Sequence, residues 1–325
     1  MQAIRDRLEN SQIAIYFAAV ALGLFAALMV PATTALEAAI NPALAVMLFV
    51  TFLQVPLNEL GRAFTNTRFL GALLVTNFIV IPLLVACLLP LVPNDPLVRF
   101  GVLLVLLAPC IDYVVTFSHL GRADARLLLA ATPVLLCVQV LLLPLYMGGL
   151  LGADAAALIQ PRPFIDAFLF LIVAPLGFAA ALQHRATRSD RVARALPVLG
   201  LLPVPATALV LCIVVASVVP QLGQARDAAF GVVSVYVAFA LLAPLAGWLV
   251  ARLFRLDTPA GRAVAFSGAT RNSLVVLPLA LSVPGARPLL PAIIVTQTLV
   301  ELLAELVYVR AIARLGTNGT VIDRV

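Results

Sequence analysis

The chain has 325 residues, 63% of them hydrophobic and only 11% charged, and a mean hydropathy of +1.12. This excludes a water-soluble globular protein, which carries about 45–50% apolar and about 25% charged residues, and the apolar runs lack the alternation of a membrane β-barrel. The net charge of +6 comes from 21 arginines and no lysine, spread through loops without a basic stripe or aromatic platforms, so it does not mark a nucleic-acid binder.

The reading is an all-α polytopic membrane protein. Apolar runs long enough to cross a bilayer recur at about 12–30, 40–57, 69–90, 98–118, 126–149, 162–182, 196–218, 229–251, 262–283 and 289–311. Sixteen arginines fall in loops on the N-terminal side. Four (Arg99, Arg162, Arg226 and Arg287) fall on the other side, and Arg271 lies within a span. Such a bias places both termini in the cytoplasm of a multi-pass protein of the plasma membrane or cell inner membrane.

Five spans precede about residue 160 and five follow it. An odd number per half inverts the second half relative to the first. The expected organisation is therefore two inverted five-helix repeats, 1–160 and 161–325.

In each half the fourth span is interrupted. The run 98–124 contains Pro109, Cys110 and Asp112. Proline removes a backbone donor and clashes with the preceding turn, so the helix should break there. The run 262–284 contains Gly268, Arg271, Asn272 and Ser273, with Gly268 as the expected helix break. A lone charge costs at least ~2.5 kcal/mol at the centre of a span. Helices 4 and 9 are therefore expected to be broken and to cross, letting Asp112 and Arg271 pair. That pair is either a fixed structural contact or a working part of transport.

Among the remaining within-span polar groups, Glu301 and Glu305 share a face of the last run. Both are candidates for proton coupling, with Asp112. The alternative for Glu305 is an interfacial pair with Arg310. Ser267, Thr270, Asn272 and Ser273 suit a hydroxylated solute or a capping role. Asn77, Gln139 and Gln297 need partners within the bundle. Trp248 and the tyrosines read as packing or interface anchors.

The four cysteines, Cys87, Cys110, Cys137 and Cys212, form no CxxC pair. Cys110 differs in directly following a helix-breaking proline, and a thiol suits a soft metalloid centre. There is no Walker loop, HExxH or GxSxG, so the expectation is a carrier rather than an enzyme, with no cofactor and no resident metal. A monomer and a homodimer are both open.

The segment Ala108-Pro109-Cys110, followed by Ser118-His119-Leu120 and Asp124, resembles the arsenite efflux permeases within the bile acid/sodium symporter superfamily. The resemblance covers nearly the whole chain. It implies that Cys110 is the thiol for trivalent arsenic and that Glu301 is the functional glutamate of the last span. The permeases' paired asparagines fall at Arg271 and Asn272, where only the second is kept. Their following phenylalanine and glutamate are Ser273 and Leu274 here, and Asp112 replaces a small residue. In sodium-coupled members the corresponding ninth-span ligands fall at Ser267 and Arg271, and an arginine there should repel sodium.

The resemblance further implies ten helices in two domains: a core of spans 3–5 and 8–10 and a panel of spans 1, 2, 6 and 7. The implied activity is secondary export of arsenite, with antimonite as a second solute, by proton exchange across the bilayer. The alternative is a carrier of small organic anions with weakened or absent sodium dependence.

Overall fold

The computed structural model describes residues 7–8, 11–54, 66–111, 113–151, 162, 166, 169–281, 283, 285 and 288–316. Helices make up the regular structure of the described residues, with one isolated bridge between extended segments. In chain order they are α1 Gln12–Met29, α2 Ile40–Phe52, α3 Thr67–Leu91, α4 Pro96–Leu106, α5 Tyr113–Leu120, α6 Ala125–Leu151, α7 Ala174–Ala186, α8 Asp190–Leu199, α9 Pro203–Val218, α10 Arg226–Leu253, α11 Thr258–Ala269, α12 Ser273–Leu281 and α13 Leu289–Ala311.

Six helical stretches among the described residues are long and apolar enough to cross a membrane: α1, 32–52 around α2, α3, 203–221 around α9, α10 and 289–314 around α13. A seventh is α6, bent by 51° between Gln139 and Leu141. The predicted runs at 98–118 and 262–283 are each a pair of shorter helices, α4/α5 and α11/α12. The run at 162–182 is described only in part.

Exposed apolar stripes agree with a lipid environment. Leu241, Leu245 and Leu249 on α10 lie four residues apart, on one helix face, and are each more than half exposed. Close helix packing depends on small residues. At Gly247 a Cβ would stand 2.9 Å from Ala265 Cα and Val264 O, so α10 and α11 approach backbone to backbone.

α9 packs on α1 and α2, and α7 on α2. α10 packs on α11 and α13, and α13 on α4 and α12.

Several local devices occur twice, shifted by 162 positions. Asp95 caps α4 by accepting from the Leu97 and Val98 N–H groups, and Asp257 caps α11 by accepting from the Ala260 N–H. Pro82 and Pro244 lack the N–H that would serve the carbonyls of Phe78 and Ala240, four residues earlier. Both orphans are covered in the same way: the Tyr146 hydroxyl donates to Phe78 O and the Tyr308 hydroxyl to Ala240 O, each across 68 residues. Pro109 and Arg271 are related by the same shift, and they face each other.

Candidate functional site

The site is built where the two interrupted runs meet. α4 ends at Leu106, the chain is non-helical through 108–111, and α5 begins at Tyr113. Pro109 accounts for this break as its ring and missing donor require. In the second run α11 passes through Gly268 and ends after Ala269, so the expected break at Gly268 is corrected to 270–272. Glycine, unlike proline, keeps its backbone N–H and so need not stop a helix. Gly268 instead makes room, since a Cβ there would sit 2.9 Å from Thr76 Cγ2.

What holds 270–272 open is hydrogen bonding across the crossing. The Cys110 N–H donates to Thr270 O at 3.1 Å, and the Asn272 N–H donates to Ala108 O at 2.8 Å. These two bonds make Pro109 and Arg271 an antiparallel bridge, a two-residue scrap of β-structure inside a helical bundle. Asn272 Oδ1 then caps α12 by accepting from the Val275 N–H at 3.3 Å. Non-helical backbone at membrane depth is tolerated only where protein satisfies it in this way.

The Arg271 side chain is fully buried. Its guanidinium donates to Leu106 O at 3.3 Å, Gly268 O at 2.8 Å, Ser267 O and Asn77 Oδ1 at 3.0 Å. Leu106 is the last residue of α4, and Ser267 and Gly268 lie in the last turn of α11. One cation therefore serves the negative ends of two half-helices. The Phe239 ring lies beneath it, 5.6 Å from Cζ. Asn77 sits in a π-helical turn, Thr76–Val80, and donates to Ser267 Oγ at 2.9 Å and Leu73 O at 3.0 Å.

Glu301 fastens α13 to the crossing. Its Oε2 accepts from the Arg271 N–H at 2.7 Å and from Gln297 Nε2 at 2.6 Å, and its Oε1 accepts from the Tyr113 hydroxyl. Glu305 is buried against Thr270, whose hydroxyl lies 2.6 Å from Oε1. It faces the second helix break rather than the cytoplasmic interface. Thr270 has one hydroxyl hydrogen and two acceptors, Glu305 and Phe266 O at 2.8 Å. A protonated Glu305 can donate to Thr270 and leave that hydrogen for Phe266.

Cys110 is 1% exposed and belongs to no disulfide, whereas Cys87 and Cys137 are exposed and Cys212 is half-buried. Two buried polar atoms one and two residues past the bridge have no hydrogen-bond partner: Asn272 Nδ2 and Ser273 Oγ. Glu305 Oε2, Arg271 Nε and Gln139 Oε1 share that condition. Buried orphans of this kind call for a ligand or a mechanistic role. Asp112 lies outside the described residues. Among the described residues, no group of three or more His, Cys, Asp or Glu side chains gathers to hold a metal.

Two voids flank the crossing. One, a narrow gap of about 10 Å³, is lined by Leu106, Tyr236, Phe239, Gln297, Glu301 and Tyr308. The other is a crevice of about 40 Å³ whose polar walls are Gln12, Tyr16, Thr51, Gln54, Tyr113, Thr116 and Thr207. None of these carries a charge at neutral pH.

Tyr113, expected as a packing or interface anchor, is buried and does more than pack: its hydroxyl reaches both Glu301 and, at 3.3 Å, Arg271 O.

Comparison with known proteins agrees with this architecture. A family model described as the Sodium Bile acid symporter family matches residues 41–224, more than half of the chain. No curated protein matches it.

Proposed function

Because the chain belongs to the Sodium Bile acid symporter family, a family of membrane transporters, we propose that it is a ten-span secondary carrier that exports arsenite, and antimonite as a second solute, from the cytoplasm by proton exchange. The spans form two inverted five-helix repeats, with α4/α5 and α11/α12 as the broken fourth and ninth spans. The devices repeated at a shift of 162 positions support this reading, as does the reciprocal bonding at the bridge. Spans 3–5 and 8–10 form the moving core against a panel of spans 1, 2, 6 and 7, and both termini face the cytoplasm.

The observation that carries the substrate reading is the place of Cys110. Its backbone is bonded into the bridge, the buried Asn272 Nδ2 and Ser273 Oγ just past the bridge have no hydrogen-bond partner, and Tyr113, three residues along the chain, lines a crevice with neutral polar walls. Arsenite at neutral pH is an uncharged trihydroxide. It binds by exchange: an As–S bond forms, an As–O bond breaks, and the thiol proton leaves with the hydroxide as water. Arsenic stays trivalent. The remaining hydroxyls fall to Asn272 and Ser273. Water reverses the step on the far side. Protonation of Glu301, with Glu305 and Asp112 as its partners, resets the carrier.

Sodium is not needed in this scheme. The oxygens that face Arg271 are those a hard cation would seek at half-helix C-termini, and the guanidinium already holds them. The same commitment weighs against the rival reading, a carrier of small organic anions, which needs Arg271 to face its solute.

The test is uptake into everted membrane vesicles under an imposed pH gradient, with and without sodium. Arsenite and a panel of carboxylates and sulfonates are compared. Arsenite uptake that ignores sodium and collapses with the proton gradient is the expected result. Uptake of an organic anion and none of arsenite overturns the assignment.

A further inference from the structure

Glu301 lies between the two voids and touches them unequally. It lines the smaller cavity directly, together with Tyr236 and Tyr308. Toward the crevice it is covered by Tyr113, which lines that crevice while Glu301 does not. The other two hydroxyls beside Glu301 are committed to backbone, Tyr236 to Ile293 O at 3.2 Å and Tyr308 to Ala240 O. Tyr113 is therefore the hydroxyl that spans from the crevice to the carboxylate.

Its hydrogen bonding also has two settings. The phenol has one hydrogen, and its acceptors within reach include Glu301 Oε1 and Arg271 O at 3.3 Å. An ionised Glu301 takes that hydrogen. A protonated Glu301 has its own O–H to give, donates to the phenolic oxygen, and leaves the phenolic hydrogen for Arg271 O. The charge state of α13 is thus written into the backbone of the second helix break.

We propose that the Tyr113 hydroxyl is the proton gate of Glu301, passing protons between the crevice and the carboxylate and switching its own hydrogen from Glu301 to the Arg271 carbonyl as it does so. This rests on the reading of Glu301 as the proton-carrying group. In the inward step a hydronium in the crevice gives a proton to the phenolic oxygen while the phenolic hydrogen moves to Glu301 Oε1. Water and a neutral carboxyl result, and tyrosine begins and ends uncharged.

Among the described residues, the other titratable or charged groups around Glu301 are the Arg271 guanidinium, Glu305 one turn along α13, Tyr236 on α10, Tyr308 on α13, and Cys110, which acts electrostatically on Arg271. None of them reaches the described walls of the crevice. The gate gives a carboxylate only 3% exposed a route for protons to and from the crevice.

The test is infrared spectroscopy of the full chain in lipid nanodiscs, following deuterium exchange of the protonated carboxyl band that disappears in Glu301→Gln. In Tyr113→Phe that exchange is expected to slow about 10²-fold, the scale of a lost proton-transfer partner. Tyr113→His, which keeps a donor and acceptor, restores much of the rate. A second measurement leaves Tyr113 in place. With Cys87, Cys110, Cys137 and Cys212 replaced by alanine, Thr116→Cys is alkylated with a bulky maleimide to plug the crevice, and exchange slows similarly. Unchanged exchange in folded Tyr113→Phe, or behind the plug, overturns the gate alone. A wild-type spectrum with no Glu301-dependent band overturns the proton-coupling reading, and the gate with it.

Discussion

The backbone N–H of Arg271 donates to Glu301 Oε2 at 2.7 Å, so a carboxylate on the last helix holds open the break in the ninth predicted span. Proton traffic and helix geometry meet at that bond. A Glu301→Gln variant keeps one acceptor oxygen but cannot gain or lose charge. It is expected to fold, to exchange labelled arsenite across vesicles at equilibrium, and to lose net proton-driven efflux by about 10²-fold or more. Counterflow and net-flux assays on one preparation separate the two. Equal loss of both would place Glu301 in solute binding instead.

Arg271 is expected to act as a built-in cation. Arg271→Ala leaves two carbonyls of the α11 end, the α4 end and Asn77 Oδ1 around an emptied volume. Each buried acceptor left without a donor should cost about 1–3 kcal/mol. Sodium can then enter the oxygen set, and mass action should raise the variant's Tm by about 2–4 °C over choline at the same ionic strength. The unaltered protein should show no difference between the two salts. A sodium response in the unaltered protein would contradict sodium-independent transport.

The two tyrosine–proline devices make a stability cycle. Tyr308→Phe uncovers Ala240 O and should cost about 1 kcal/mol, the scale of hydrogen bonds between membrane helices. Pro244→Ala restores the helical N–H, so Tyr308→Phe in that background should cost much less. Tyr146→Phe with Pro82→Ala should behave alike. Thermal unfolding of the four variants of each cycle measures the coupling, and strictly additive costs would remove the account of why these tyrosines are there.

The membrane class, the two interruptions and their meeting were legible in the residues, because charge and proline in an apolar run are costly wherever they fall. The position of the second break was not. It depends on bonds from Cys110 and Asn272 to carbonyls on the opposite segment, and local propensity pointed to Gly268 instead. Tyr113 was unreadable for a similar reason, since its partner Glu301 is 188 residues away and a tyrosine in an apolar run looks like an anchor. One signal was present and passed over. Pro82 with Tyr146 recurs as Pro244 with Tyr308 at a single shift, which marks the internal correspondence more sharply than counting spans. The expected Asp112–Arg271 pair falls outside the described residues.

The most direct test of the central claim is arsenite accumulation in everted vesicles carrying the unaltered protein or Cys110→Ser, at matched expression and with Cys212→Ser as the control thiol. The account expects rapid accumulation by the unaltered protein and by Cys212→Ser, and background levels for Cys110→Ser. Accumulation by Cys110→Ser at the unaltered rate would contradict it.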